Sequence, residues 1–241
     1  LLTSNAFFLE KIQNEFNGSK NQGDTVVTTL DVNLQQAAYD ALGDYKGAVV
    51  VMEADTGKIL AMVSKPDFDP NTVYENWATL NSDEENSPLL NRATSGSYAP
   101  GSVFKIVTAL AYMRQNSDYS SYTYDCGGSI TMDNTTINCF GRTVHGFEDL
   151  RSSFANSCNA SFANIGLMLD IAGYRQTAED LLFNSELPSV LDYTKSSFAL
   201  DEDSPSSEIM MTAMGQGETT VSPYHMALIT QAIANGGTLM D

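Results

Sequence analysis

Basic residues are scarce in this chain of 241 residues, which has 12 Lys and Arg against 30 Asp and Glu and a formal net charge of −18. Nucleic acid and anionic lipid surfaces would be repelled by this charge, so neither is expected as a partner. The sequence also lacks a run of about 20 apolar residues, the length needed to cross a bilayer. It shows no signal peptide. We therefore expect any export signal or membrane anchor to have been removed or to lie upstream of residue 1.

The composition is otherwise typical of a folded globular protein, with 42% apolar and 17% charged residues. The length is sufficient for one domain with a large core. Residues 1–23 end in a polar stretch and are predicted to be a linker or hinge. Residues 24–241 are predicted to form the domain, without internal repeats.

Local patterns predict the order of helices and strands. A short strand is predicted at Val26–Leu30, followed by a helix that Asp31 caps and Gly43 ends. Two apolar strands flank residues 54–58, where Gly57 supplies a positive φ, and they predict a β-hairpin in a sheet covered on both faces. The other expectations are a long loop at 66–99, short strands and turns at 116–150, a buried helix at 153–169, an irregular acidic segment at 181–208 and a helix from Ser222-Pro223 to just before 235–237.

The most informative stretch contains Ser102 and Lys105. A Pro-Gly turn at 100–101 precedes a helix, predicted to reach Gln115, that is apolar on nearly every side. Residues three apart lie on one helix face, so the hydroxyl and the amine should be neighbours. A lysine buried there should have a lowered pKa, which suits a general base for serine. The alternative is an N-cap serine and a snorkelling surface lysine, but the buried helix and the preceding turn favour the chemical interpretation.

A second constellation is formed by Ser157 and Asn159, at the start of or within the second apolar helix. The pattern alone carries no weight, because residues 19–21 also match it and a capping serine beside a solvated amide would explain it. Its combination with Ser102 and Lys105 is more specific. Ser-x-x-Lys together with a Ser-Asx-Asn element is the motif set of penicillin-binding proteins.

The chain resembles the transpeptidase domain of class B penicillin-binding proteins. The resemblance extends over stretches at 29–35, 47–51, 56–63, 91–93, 98–106, 157–159, 215–218, 222–223 and 234–237. It implies an α/β fold of the α+β type, the serine transpeptidase/β-lactamase-like fold, with helices packed on an antiparallel sheet. It also implies that Ser102 is the acylated nucleophile and Lys105 its base, and that Ser157 and Asn159 relay the proton and hold the substrate amide.

The implied activity is that of a peptidoglycan D,D-transpeptidase that cross-links stem peptides, is acylated by β-lactams and requires no cofactor for catalysis. The resemblance further implies a location on the extracytoplasmic face of the bacterial membrane, an anchor outside this chain, a membrane glycosyltransferase partner and a role in cell division or cell shape. Two alternatives remain open. One is a D,D-carboxypeptidase or serine β-lactamase, in which water takes the acyl group, and the other is a β-lactam sensor or non-catalytic scaffold.

One family motif is missing from the sequence. Lys-Thr-Gly or Lys-Ser-Gly does not occur, and the nearest match, Lys195-Ser-Ser197, lacks the glycine and precedes 215–217 instead of following it. We therefore expect the chain to hold the N-terminal two-thirds of the domain, without the strand that binds the substrate carboxylate and completes the oxyanion hole.

Three cysteines and a histidine follow in the sequence: Cys126, Cys139, His145 and Cys158. One interpretation is a Cys126–Cys139 disulfide that closes a short hairpin, with Cys158 a free buried thiol. The other, slightly favoured, is a tetrahedral Cys3His zinc site, which would use all three thiols and pin residues 116–150 to the helix that carries Ser157. His225, on the last helix, is expected to be a packed or surface residue and not a ligand.

Overall fold

The computed structural model describes residues 12–18 and 25–240. The helices are α1 (12–17), α2 (Val32–Leu42), α3 (Val73–Ser82), α4 (Lys105–Gln115), α5 (Leu150–Ala155), α6 (Asn159–Met168), α7 (Ile171–Asp180), α8 (Ser206–Ala213) and α9 (Pro223–Ala234). The strands are β1 (Gly47–Met52), β2 (Ile59–Lys65), β3 (Thr123–Cys126), β4 (Ser129–Met132), β5 (Thr135–Asn138) and β6 (Gly146–Asp149). They pair as antiparallel β1–β2, β3–β6 and β4–β5.

The β1–β2 hairpin is covered by a helix on each face. Its turn contains Gly57 at φ 72°, in agreement with the prediction. Side chains alternate along a strand, so successive residues face opposite sides. Ala61 and Val63 pack with Ala38 of α2 on one side, and Val50 and its neighbours pack against α9 on the other. The predicted sheet covered on two sides is therefore confirmed.

Helix α4 runs through the main core. Phe104, Val107 and Ala111 are fully buried around it. The hydroxyl of Thr108 lies 2.7 Å from that of Tyr174 on α7 and donates to the carbonyl of Ala213 on α8 at 2.9 Å. These bonds satisfy buried polar groups and fix α4 relative to two neighbouring helices. The prediction of a buried central helix is confirmed.

The predicted strand at Val26–Leu30 is wrong. No strand is present between residues 25 and 31, and Val26 and Val27 are 78% and 90% exposed. The segment contacts β2 through the Thr29 hydroxyl, which donates to the Ile59 carbonyl at 2.6 Å, and through the neighbouring Asp31 amide. Such isolated contacts do not form a ladder, and β-branched residues alone do not make a strand.

The positions of several helices also differ from expectation. The expected loop at 66–99 contains α3, whose apolar residues Val73, Trp77 and Leu80 have helical spacing but none of which is buried. The single helix expected at 153–169 is two helices, α5 and α6, separated by residues 156–158. The segment 181–208 is irregular up to Ser206, where α8 begins. Helix α7 was not anticipated.

The predicted linker at residues 1–23 lies mostly outside the described residues, and its described part, 12–18, contains α1. In the part of the chain that the structure describes, no helix has the length and apolar character to cross a membrane.

Candidate active site

Ser102 lies in a 3-10 turn, Gly101–Phe104, immediately before α4. The amide of Gly101 donates to the carbonyl of Gly215 at 2.7 Å. A Cβ atom on Gly215 would lie only 1.8 Å from the Gly101 carbonyl oxygen, so the two backbones are in direct contact. The loop after α8 therefore supports the turn that presents the serine, and only glycine allows this approach.

Lys105 is 1% exposed and directs its amine into a group of polar side chains. Its Nζ lies 2.9 Å from Ser102 Oγ, 3.0 Å from Ser157 Oγ and 2.8 Å from Asn159 Oδ1. Burial lowers the pKa of Lys105 to about 8, although the neighbouring cysteines oppose this shift. A substantial fraction of the amine is therefore neutral near physiological pH, and a neutral amine can accept the serine proton.

Ser157 reaches the same point from a backbone turn between α5 and α6. Its amide donates to the Phe154 carbonyl at 3.0 Å, and the next amide, of Cys158, donates to the Ser153 carbonyl at 2.9 Å. This pair of bonds is a Schellman motif, which requires a left-handed residue at the position that Ser157 occupies with φ 51°. The turn points the Ser157 hydroxyl at Ser102 Oγ, 2.9 Å away.

Asn159 is the first residue of α6. Its Oδ1 accepts from Lys105, and its Nδ2 donates to the carbonyl of Asn138 at the end of β5, 3.0 Å away. The side-chain amide of Asn159 therefore has a fixed orientation between Lys105 and strand β5. The structure brings Ser102, Lys105, Ser157 and Asn159 together, with an arrangement suited to activating one serine hydroxyl as a nucleophile.

The three cysteines and His145 form a second cluster behind this group. Their ligand atoms all lie within 4.8 Å of one another. The three thiols are free, with Sγ–Sγ distances of 3.3 to 3.7 Å, whereas a disulfide requires about 2.05 Å. Four N and S donors around one point match the ligand set of structural zinc.

The surroundings of this cluster shift the pKa values of two of its thiols in opposite directions. Burial opposes ionisation of Cys126, but hydrogen bonds from the backbone amides of His145 and Gly128 outweigh it and lower the pKa of Cys126 to about 7. Cys158, by contrast, has a raised pKa, first because of burial and further because of the nearby Glu148. The fit of these residues to a tetrahedral metal ion rests on their donor set and close spacing. Cys158 directly joins the cluster to Ser157.

His225 is distant from this cluster in the chain and packs in the core, in agreement with the expectation. It is fully buried, its ring contacts Phe183, and its Nε2 lies 2.7 Å from the Leu181 carbonyl. Burial lowers the pKa of His225, so the ring is held neutral.

Sequence reasoning missed two contributors to the site. The carbonyl of Asn138 orients Asn159, and a backbone carbonyl leaves no signal in a residue pattern. Glu148, 2% exposed, accepts a hydrogen bond from Asn156 Nδ2 at 2.7 Å, next to Ser157. In the sequence, Glu148 stands between Phe147 and Asp149. This pattern gave no indication that its carboxylate would be buried.

Known proteins are similar to this chain in sequence and in fold. A family model described as the penicillin binding protein transpeptidase domain matches residues 47–241. Peptidoglycan D,D-transpeptidase PbpA of Mycobacterium tuberculosis is 33% identical over 252 residues, covering 97% of this chain and 50% of that protein. This chain therefore spans about half the length of that relative.

Solved structures are similar as well. The ceftriaxone acyl-enzyme complex of penicillin-binding protein A from M. tuberculosis has a TM-score of 0.85 at 30% identity, covering 98% of this chain and 57% of that one. The complex between penicillin-binding protein PBP2 and MreC from Helicobacter pylori has a TM-score of 0.78 at 26% identity, covering 88% and 42%. These likenesses confirm the predicted fold class.

Proposed function

The chain belongs to the penicillin-binding protein transpeptidase family, and we propose that it is a serine D,D-transpeptidase that cross-links the stem peptides of peptidoglycan. In this proposal residues 24–241 form the transpeptidase domain and residues 1–23 lead into it. The observation that carries the proposal is the buried amine of Lys105, 2.9 Å from Ser102 Oγ and 3.0 Å from Ser157 Oγ.

The first half of the reaction is acylation of Ser102. Lys105, neutral above its lowered pKa of about 8, takes the hydroxyl proton as Ser102 Oγ attacks the carbonyl between the two terminal D-alanines. The bond from Oγ to this carbonyl carbon forms, and the carbon–nitrogen bond to the last D-alanine breaks. The leaving amine receives a proton through Ser157, whose Oγ lies within hydrogen-bonding distance of both Lys105 Nζ and Ser102 Oγ.

The second half transfers the acyl group. An amine from a neighbouring stem peptide attacks the Ser102 ester and loses a proton to Lys105. The new carbon–nitrogen bond forms, the bond from the carbonyl carbon to Ser102 Oγ breaks, and Lys105 returns the proton to Oγ. Asn159 holds the backbone amide of the bound peptide. Its side-chain amide is already oriented for this by Lys105 and by the Asn138 carbonyl. Preorganised polar groups of this kind lower the barrier because they need no reorientation during the reaction.

A β-lactam would acylate the same serine when its ring amide opens, and intact-mass spectrometry after incubation with penicillin tests this. We expect one covalent adduct on the wild type and none on Ser102→Ala. A long-lived adduct supports the transpeptidase. Rapid turnover of the adduct would point to a β-lactamase or D,D-carboxypeptidase. An adduct on a longer chain with the Lys-Thr-Gly or Lys-Ser-Gly strand, but not on this one, would show that this strand is essential. Absence of any adduct on both would overturn the proposal in favour of a scaffold.

The cellular location and the partners of the domain follow from the proposed substrate. Stem peptides lie outside the cytoplasmic membrane, so we propose that the domain acts at the extracytoplasmic face, held there by a membrane anchor. A membrane glycosyltransferase that supplies new glycan strands is the expected partner. The similar PBP2 of H. pylori is described in complex with MreC, and an equivalent scaffold is a further candidate partner. Co-purification of the chain with membrane proteins after crosslinking in cells tests both.

A structural zinc ion would be held by Cys126, Cys139, Cys158 and His145. It would cross-link the end of β3, the β5–β6 connection and the start of α6. Tetrahedral ligation would fix the register of residues 126–158 and thereby the Ser157 turn. We expect one equivalent of zinc by elemental analysis, lost in Cys139→Ser. A protein purified without reductant or chelator that holds a Cys126–Cys139 disulfide and no metal would contradict this site and support the disulfide interpretation.

A further inference from the structure

Strand β6 has an inverted polarity for a strand that packs on a core. Side chains alternate between the two faces of a strand, so an apolar residue is expected inside and a charged one outside. Here Phe147 is 78% exposed, and Glu148, the next residue, is 2% exposed. The register is fixed by antiparallel pairing with β3, which places Glu148 opposite Tyr124. A carboxylate in an inward position costs stability unless it has partners, and such costs are kept where they serve a function.

Glu148 lies beside two residues of the segment between α5 and α6, Asn156 and Cys158. Its Oε1 accepts a hydrogen bond from Asn156 Nδ2 at 2.7 Å, and its Oε2 is buried without a hydrogen-bond partner in the described part of the chain. Asn156 is the C-cap of α5 and directly precedes Ser157. The carboxylate therefore ties β6 to the residue that begins the turn between α5 and α6.

This turn is strained at its functional residue. Ser157 has φ 51°, a left-handed conformation that is rarely adopted by residues other than glycine and asparagine. The strain costs on the order of 1 kcal/mol or more and persists only where the surroundings hold it. The two backbone hydrogen bonds of the Schellman motif hold the turn from within. The contact between Glu148 and Asn156 holds it from outside, together with the bond from Lys105 Nζ to the Ser157 carbonyl at 3.3 Å.

We propose that Glu148 is a positioning residue, which fixes Asn156 and so keeps the Ser157 hydroxyl within reach of Ser102 and Lys105. The inference rests on the proposed function, because it assigns Glu148 a role in the acylation of Ser102. Glu148 touches neither the substrate nor the reacting atoms. We assign its effect on acylation to Ser157. Because Glu148 also lies beside Cys158, the metal content of each variant is measured to separate this route from an effect on the cysteine cluster.

Two replacements of similar size test the contact. Glu148→Gln keeps an oxygen that can accept from Asn156, and Glu148→Leu removes the acceptor without leaving an unpaired charge in the core. Asn156 is exposed, so its amide can bind water in Glu148→Leu. We expect the second-order rate constant of acylation by a fluorescent penicillin to fall about 10- to 100-fold in Glu148→Leu, because small misplacements of catalytic groups have effects of this size. Glu148→Gln should retain most of the rate.

A double-mutant cycle with Ser157→Ala separates positioning from structure. In the Ser157→Ala background, Glu148→Leu should have almost no further effect on the rate, since its route of action is already removed. Glu202→Ala, which removes an exposed acidic residue, is the matched control and should behave as the wild type. Equal rate losses in the presence and absence of the Ser157 hydroxyl would overturn the inference. So would a rate loss that follows loss of metal from the cysteine cluster.

Crystal structures of the two variants test the inference without any turnover. Ser157 Oγ should lie beyond hydrogen-bonding reach of Ser102 Oγ in Glu148→Leu and within reach in Glu148→Gln. An unmoved Ser157 in Glu148→Leu would overturn the positioning role. Failure of both this chain and a longer chain with the missing strand to form any adduct would instead refute the proposed function, whereas these structures would still show whether Glu148 holds the turn.

Discussion

The contact between Gly215 and the serine turn allows a sharp test by Gly215→Ala. The added Cβ would lie 1.8 Å from the Gly101 carbonyl oxygen, 2.5 Å from its carbon and 2.9 Å from its Cα. All three are backbone atoms, so no flexible side chain can move aside. Relief of this overlap requires the Ser102 turn to move by about 1 Å or more, since non-bonded heavy atoms pack at about 3.5 Å. The hydrogen bond from Gly101 to Gly215 would be lost in this movement.

Two effects of Gly215→Ala can be estimated. Gly215 has φ 85°, and a left-handed alanine costs roughly 1–2 kcal/mol. The lost hydrogen bond adds about 1 kcal/mol. The displaced Ser102 should also reduce the acylation rate by about 100-fold, the cost of misplacing a reacting group by 1 Å. Thermal unfolding and the rate of labelling by a fluorescent penicillin measure the two effects separately.

Gly217→Ala is the matched control for this prediction. Gly217 has φ 87°, nearly the value at Gly215, but a Cβ there would meet its nearest atoms at 3.4 Å and beyond. Both variants carry the same conformational strain, and only Gly215→Ala pushes on the serine turn. We expect both to unfold at lower temperature and only Gly215→Ala to lose acylation. Equal labelling rates in the two variants would refute the idea that the Gly215 contact positions Ser102.

Three other predictions concern the amine, a helix contact and a buried hydrogen bond. The acylation rate should rise with pH as Lys105 loses its proton, with a midpoint near its lowered pKa of about 8 and a plateau above it; a stopped-flow pH profile that is flat from pH 6 to 9 would contradict a lysine base. Gly166→Ala should lower the unfolding temperature, because its Cβ would lie 2.6 Å from that of Ala213 and force α6 and α8 apart at a cost of about 1–3 kcal/mol. Thr108→Val should destabilise the fold by roughly 1–3 kcal/mol in denaturant titration, because the buried Tyr174 hydroxyl and the Ala213 carbonyl each lose a partner; unchanged stability in either variant would refute the corresponding contact.

Features that depend on a local signal were predictable from the sequence. Asp31 caps α2 through the Leu34 amide, Gly43 ends the helix and Gly57 forms the hairpin turn, as their residue types indicate. The burial of Lys105 followed from the apolar helix around it. Proximity of this lysine to Ser157 and Asn159 could not be derived in the same way, because they are more than 50 residues away and only the motif set linked them.

The largest miss in the site was the division of the helix at 153–169. Helix ends are usually marked by glycine at the left-handed position, and here that position is occupied by Ser157. Apolar residues continue on both sides with helical spacing, so the pattern gave no reason to break the helix. The inward orientation of Glu148 could not be predicted for a similar reason. Phe147 has the stronger preference for the core, but it lies on the exposed face of the strand.

These two misses have one physical cause. A glycine at position 157 would relieve the strain but would carry no hydroxyl to reach Ser102. The backbone conformation therefore favours glycine, whereas the proposed chemistry requires serine. The Schellman hydrogen bonds, worth about 1 kcal/mol each, offset strain of similar size at Ser157. In the role proposed for Glu148, its contact with Asn156 adds to these bonds from outside the turn and helps to keep the hydroxyl in place. Sequence rules based on local preference fail at this turn because the protein holds a locally unfavourable conformation with contacts from distant elements.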